Sequence, residues 1–373
     1  MPARPGNSAS TRRGFLKKGV AAGVATVGAG LLSHSASASA EDEKSGRLTP
    51  GDAALLRFAA AAEIIETDFW VQYNELGGVP NTNEVPGGSG NPAYSNAISQ
   101  LDTDMAQYIH DNTDDEFTHQ NFLNAYLESK GASPVSLEPF RTLPGSQATG
   151  SSGKLRITNL MQLTVDTSWW TRYRNGDHNP DLEASFAFPQ AIPTLATGKH
   201  TAIPRTDADT SDPIVLQAIA NTAGFHFATI EQGGTTLYPA MAQRATHHEV
   251  LRILLSIGPT ETMHFQTWQD KAGNAPNASF FDPINKSNVV FDVQGAARFK
   301  TEDFKPNLIM PEPCPFISPN LPRCSVIRPT ETKDIAKGVV KFLTDMGLFI
   351  GQSPAFFALL NDLAEDADSA RRG

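Results

Sequence analysis

The sequence predicts an all-α protein: a four-helix bundle with one long crossover, irregular insertions and a C-terminal helical extension. Two pairs of long segments repeat apolar residues with the period of an α-helix, and a short link joins the members of each pair. Residues 131–211, rich in Pro, Gly, Ser and Thr, separate the two pairs, as a crossover along a bundle requires. An amphipathic segment, 331–364, predicts one or two further helices outside the bundle.

The first 40 residues have the features of an export signal that is cleaved after Ala40. A basic start precedes a Gly- and Ala-rich apolar run at 19–32, and small residues precede the cleavage point. Residues 11–18, TRRGFLKK, resemble the twin-arginine export motif of bacteria, which implies the export machinery as a partner and a periplasmic or secreted protein. The run is shorter than the roughly 20 apolar residues of a membrane span, so no membrane association is expected after cleavage.

The four bundle helices are predicted at about 50–76, 96–130, 212–244 and 247–272, within a bundle region of 41–275. Thr49 before Pro50 is a cap followed by a proline, which starts the first helix, and Gly77-Gly78 ends it. Gly131 ends the second helix, in which a bend is expected near Asp111-Asn112.

The second pair of helices has its own start signals and one irregularity. Asp212-Pro213 opens the third helix, and Thr246-x-x-Glu249 has the spacing of a capping box, so Glu249 is interpreted as a cap of the fourth. Gly258-Pro259 lies inside the fourth helix, and a kink or restart is expected there because proline removes a backbone hydrogen bond and collides with the preceding turn. Residues 276–373 form the C-terminal extension.

The charge of the mature chain argues against polyanionic partners. The whole chain has 30 basic and 40 acidic residues, and five basic residues and no acidic ones lie in the signal segment. Such an acidic protein is not expected to bind nucleic acid or anionic membranes. The two cysteines, Cys314 and Cys324, lie ten residues apart in a Pro-rich loop, and an oxidising compartment favours a disulfide between them. We expect a monomer or a small homo-oligomer.

Each predicted bundle helix carries a glutamate that suggests a metal ligand. Two helices have a Glu-x-x-His pair, whose side chains leave the same face about one turn apart. The other two have a glutamate in an apolar stretch, where an unpaired carboxylate would be costly to bury. The six residues are Glu63, Glu116, His119, Glu231, Glu261 and His264. Glu, Glu-x-x-His, Glu, Glu-x-x-His is the layout of di-iron and di-manganese carboxylate bundles.

At these residues the chain resembles the ferritin-like superfamily, and more narrowly the exported ferritin-like proteins related to plant desiccation-related and fungal stress-response proteins. The resemblance rests on AAAEIIETDFW, DDEFTHQNFLNAYLESKG, FATIEQGGTTLY and SIGPTETMHFQTW and covers roughly 50–130 and 212–270. It implies that the six residues are metal ligands. Glu66, one turn from Glu63, is the alternative to Glu63.

The donor set indicates the metal and the class of chemistry. Four carboxylates balance two divalent ions, and oxygen-rich ligation with two imidazoles suits iron or manganese. We therefore predict a dinuclear iron or manganese site, with redox chemistry on a small-molecule oxidant, dioxygen or peroxide, and a stress-related role. Two alternatives stay open: a manganese catalase-like peroxide dismutase, and a metal-free stress or binding scaffold without catalysis. No catalytic residue is expected beyond the ligands, and the sequence does not decide whether the protein is an enzyme.

Overall fold

A computed structural model describes residues 46–80, 84–172, 185–292, 310–312, 324–326 and 333–371. The predicted signal segment, 1–40, lies outside the described residues. Cys314 lies outside them too, so the predicted disulfide between Cys314 and Cys324 is not described. Within the described part the chain is mostly helical, as predicted. None of the helices in that part is both long and apolar enough to cross a membrane.

The regular structure of the described residues consists of eight α-helices, two short 3-10 helices (Glu138–Phe140 and Asp207–Thr210) and two small antiparallel two-stranded sheets. The first part of the chain has α1 Pro50–Gly77, α2 Pro92–Ile98, α3 Met105–Ser129, α4 Trp169–Arg172, α5 Pro213–Ala242 and α6 His248–Ala272. The second part has β1 Ala278–Asp282 paired with β2 Ser287–Phe291, β3 Met310–Glu312 paired with β4 Cys324–Val326, α7 Ile335–Met346 and α8 Pro354–Ser369.

The long helices pack in pairs. α1 lies against α3, α5 lies against α6, and α2 packs on α5. In the extension, α7 and α8 pack on each other, and α8 covers α1. In the described residues of the crossover, 131–172 and 185–211, two isolated bridges form, Leu143 with Arg156 and Leu163 with His200.

The predicted second helix, 96–130, is two helices, α2 and α3, with a break at residues 99–104. The carboxylate of Asp102 accepts a hydrogen bond from the backbone N–H of Asp104 at 2.8 Å, a local turn that competes with the helix. The bend expected near Asp111-Asn112 does not interrupt the helix, since α3 is unbroken there.

The predicted capping box of the fourth bundle helix does not form. The cap of α6 is His247, whose Nδ1 accepts a hydrogen bond from the backbone N–H of Glu249. The N–H groups of Thr246 and His247 donate to Asp52 at the start of α1, at 2.9 and 3.1 Å. The Glu249 carboxylate instead lies 2.6 Å from Nζ of Lys130, so this glutamate ties α6 to α3.

α6 continues through Gly258 and Pro259, so the expected restart does not occur. The carbonyl that Pro259 leaves without its helical partner belongs to Leu255, which is 54% exposed and so lies on the solvent side. A Cβ atom on Gly258 would lie 2.8 Å from Cβ of Tyr238, so glycine at this position allows α5 and α6 to approach closely. The face of α6 that follows Pro259 therefore keeps its direction toward the core.

Candidate metal centre

Six ionisable side chains from α1, α3, α5 and α6 meet in the interior, and they are the six predicted from the sequence. They form two groups that share Glu116 and Glu261. The first group is Glu63, Glu116, His119 and Glu261, and the second is Glu116, Glu231, Glu261 and His264. In each group, one possible ligand atom per residue lies within 4.8 Å of the others.

The four carboxylates are almost completely buried, with exposed fractions of 0 to 1%. Their ion-pair partners within the described residues are His119 and His264. Four buried carboxylates facing two imidazoles leave an excess of negative charge when all are ionised, and an uncompensated buried charge is strongly destabilising. The cluster therefore needs cations or protons.

Both histidines turn Nδ1 toward the carboxylates. Nδ1 of His119 lies 2.9 Å from Glu116 Oε2 and 3.3 Å from Glu63 Oε2. Nδ1 of His264 lies 3.2 Å from oxygens of both Glu116 and Glu231. On its far side, Nε2 of His264 lies 3.0 Å from Asp115 Oδ2, the carboxylate partner that metal-binding histidines commonly have.

A hydrogen-bond network on the other side of the cluster fixes Glu116 and Glu231. Asn112 Nδ2 donates to one oxygen of each, at 2.7 and 3.1 Å. Trp70 Nε1 also donates to Glu231, at 3.0 Å, and Trp268 Nε1 donates to Asn112 Oδ1 at 2.6 Å. The indoles of Trp70 and Trp268 stack with their centroids 5.4 Å apart, so donors and packing hold these carboxylates together.

Several carboxylate oxygens at the centre have no hydrogen-bond donor, as is expected of oxygens that bind metal ions. They are Oε2 of Glu63, Oε2 of Glu66 and both oxygens of Glu261. Leaving a buried acceptor unpaired costs about 1 to 3 kcal/mol, and more for a charged group. Oxygen-rich donors with two imidazoles are also the set that iron and manganese take. These residues can hold metal ions.

Without metal, protons take over part of the charge balance. Burial raises the pKa of Glu63 to about 7, although His119 acts in the opposite direction. Burial, followed by repulsion from Glu116 and other carboxylates, raises the pKa of Glu261 well above its ordinary value. Burial would lower the pKa of His119, but Glu63 and Glu116 attract its proton and raise the pKa to about 11.

Glu116 is the exception among the carboxylates. Burial raises its pKa, but hydrogen bonds from His119 and His264 outweigh burial and hold the pKa below its ordinary value. Glu116 is therefore the carboxylate that stays ionised between the two histidines. Its Oε2 faces His119 and its Oε1 faces His264.

Glu66, the alternative to Glu63, lies beside the cluster. It belongs to neither group, but burial and then the charges of Glu116 and Glu63 raise its pKa well above the ordinary value. Glu66 lies one turn along α1 from Glu63, on the same side of the helix, so the sequence alone does not decide which of the two is the ligand. The centre thus has a neighbouring fifth carboxylate.

Four polar contacts of the centre were not predicted from the sequence. Asn112 and Asp115 lie on α3 close to Glu116 in sequence, a signal that could have indicated supporting residues. Trp70 lies two turns along α1 from Glu63, but its hydrogen bond to Glu231 joins two separate helices and has no signal in the sequence. The hydroxyl of Tyr238 donates to Glu63 Oε1, which places it next to the first group.

No family model, no curated protein and no solved structure matches this chain.

Proposed function

We propose that the protein is an exported, ferritin-like four-helix bundle that binds two iron or manganese ions and carries out redox chemistry on dioxygen or peroxide. The observation that carries the proposal is the sharing of Glu116 and Glu261 by two buried groups of carboxylate and imidazole ligands. A carboxylate common to two groups can bridge two ions, and the four helices that supply the ligands match the layout of dinuclear carboxylate bundles.

Each residue of the cluster has a role under this proposal. The four carboxylates, with Glu116 and Glu261 common to both groups, would hold the ions together with the two histidines, whose Nδ1 atoms face the carboxylates. Asp115 would hold the ring of His264 by accepting from Nε2, and Asn112 would keep Glu116 and Glu231 together. When bound, such a pair of ions supplies redox equivalents and Lewis acidity.

Tyr238 holds a proton at the edge of the site. Its hydroxyl donates to Glu63, and burial raises its pKa well above the ordinary value, so it stays protonated at neutral pH. Under the proposal, this hydroxyl orients one oxygen of Glu63 and leaves Oε2, which accepts no hydrogen bond, for a metal ion.

Elemental analysis of the protein purified after export tests the proposal. We expect about two iron or manganese ions per chain in the wild type, and much less metal in Glu116→Ala and His264→Ala. Glu128→Ala and His248→Ala are matched controls, because both residues are exposed and lie outside the cluster. A wild type that carries no more metal than Glu116→Ala would overturn the proposal.

A further inference from the structure

An open groove of about 590 Å³ between α3 and α6 reaches the candidate metal centre at His119. Of the six clustered side chains, His119 is the one that lines the groove. It is also the most exposed of them, at 13% of its side chain against 7% for His264 and at most 1% for the carboxylates. The groove is therefore the open side of the centre.

The walls of the groove next to His119 are apolar. Phe122, one turn along α3, is 52% exposed and stacks on Tyr126 with the ring centroids 6.2 Å apart. Ile253 and Ile257 face them from α6. An exposed aromatic beside a concave apolar wall indicates a site for an apolar ligand.

The outer end of the groove carries one cation that is not engaged. Arg252 is exposed, and its guanidinium has no acceptor and no ion pair among the described residues. The nearby Glu249 is engaged, since Lys130 pairs with it and Tyr126 donates to it at 2.8 Å. A guanidinium without an acceptor at the end of the groove favours a ligand with a negative group.

The polar and apolar parts of the groove are ordered along α6. Arg252 precedes Glu261 by nine residues, which is about 13 Å along the helix axis, and Ile257 lies between them. A ligand whose anionic group pairs with Arg252 would extend its apolar part past Ile257 and Phe122 toward His119.

A second cavity, of about 380 Å³, lies between α1, α3 and the crossover. None of the six clustered residues lines it. Two of its three cations are paired, Arg141 with Asp68 and Arg156 with Glu75, and the third is the exposed Lys154. It therefore offers no comparable approach to the centre.

We propose that the groove between α3 and α6 admits a small organic acid with an apolar chain, whose carboxylate pairs with Arg252 and whose chain points toward His119. This inference rests on the proposed function, because it names the substrate class of the same centre.

Binding of octanoate and octanol to the metal-loaded protein, followed by NMR titration, tests the inference. We expect octanoate to bind more tightly than octanol, and Arg252→Gln to weaken octanoate about fivefold while leaving octanol unchanged. Arg252→Lys should retain binding. Lys286→Gln, which removes an exposed cation from the turn between β1 and β2, is the matched control and should bind as the wild type does.

The orientation of octanoate gives a second readout. The NMR spectra of octanoate are compared between protein loaded with paramagnetic manganese and protein loaded with diamagnetic zinc. The line broadening that manganese causes should be stronger for the methyl end of octanoate than for the carbon next to its carboxylate. Stronger broadening at the carboxylate end, equal affinity for octanoate and octanol, or equal binding by Arg252→Gln and Lys286→Gln would each overturn the inference. In a protein that holds two metal ions, these outcomes leave the proposed function standing. A protein that contains no metal after purification but still binds octanoate would overturn the proposed function. It would also overturn the inference that the groove leads a substrate to a metal centre.

Discussion

Replacement of Gly234 by alanine should empty the metal centre, whereas replacement of its neighbour Gly233 should not. A Cβ atom on Gly234 would lie 2.5 Å from Oε2, 2.9 Å from Cγ and 3.0 Å from Cβ of Glu261. Rotation of the Glu261 side chain moves the first two atoms but cannot move its Cβ, which the backbone of α6 fixes. A Cβ atom on Gly233 would meet nothing within 4 Å.

The expected magnitudes follow from this difference. Both variants replace a glycine inside α5, which by itself favours folding by about 0.5 to 1 kcal/mol. Gly233→Ala should show this gain in the metal-free protein. Gly234→Ala adds an overpacking cost of about 1 to 3 kcal/mol, so we expect it to be less stable than Gly233→Ala by that amount. Because Glu261 belongs to both ligand groups, its displacement should remove both ions rather than one.

Metal content by elemental analysis and thermal unfolding with and without added metal measure these effects. Gly233→Ala should keep wild-type metal content and gain stability when metal is added, because a ligand that binds only the folded state stabilises it. Gly234→Ala should lose both properties. If Gly234→Ala held as much metal as Gly233→Ala, the position of Glu261 between α5 and α6 would not matter for the centre, and the reasoning would be wrong.

Two further substitutions test the electrostatics and the support of the centre. Burial raises the pKa of Glu63 from an ordinary 4.5 to about 7, so its contribution to the stability of the metal-free protein is present below pH 4.5 and is lost as the pH rises through 7. Between pH 5 and 8 the wild type should therefore lose about 2 to 3 kcal/mol more than Glu63→Gln in guanidinium titrations, and parallel pH curves would contradict this. Asp115→Ala, which removes the partner of His264 Nε2, should weaken metal affinity by about 10- to 100-fold in chelator competition. Affinity equal to that of the wild type would show that this contact does not support the centre.

The sequence predicts the helical class and the six clustered residues because both depend on local signals. A Glu-x-x-His pair shares one helix face through backbone geometry alone, and a glutamate in an apolar stretch such as Glu231 must be compensated when buried. The caps Thr49 and Asp212 likewise act within a few residues, and both form as predicted. The predicted metal identity and the export signal stay predictions.

The features that the sequence did not predict depend on contacts between distant segments. The predicted capping box of α6 does not form, because Asp52, far away in the sequence, accepts hydrogen bonds from the N–H groups of Thr246 and His247. The hydrogen bond from Trp70 to Glu231 joins α1 to α5, and the pairing of Asp115 with His264 joins α3 to α6. No periodicity within one segment identifies such partners.

The hairpin of β1 and β2 is not among the elements that the sequence predicts. Its strands have only five residues each, and only alternate positions of β2 are buried, among them Val289 and Phe291. Strands this short are stable only when they pack against the rest of the protein. Here Phe291 packs against Phe225 of α5, with the ring centroids 5.9 Å apart.

Anomalous X-ray diffraction from crystals of the metal-loaded protein, recorded on both sides of the iron or manganese absorption edge, tests the central claim most directly. The account predicts two peaks per chain. One peak should lie among Glu63, Glu116, His119 and Glu261, and the other among Glu116, Glu231, Glu261 and His264. A map with no peak at these carboxylates, or with its metal peaks elsewhere in the molecule, would contradict it.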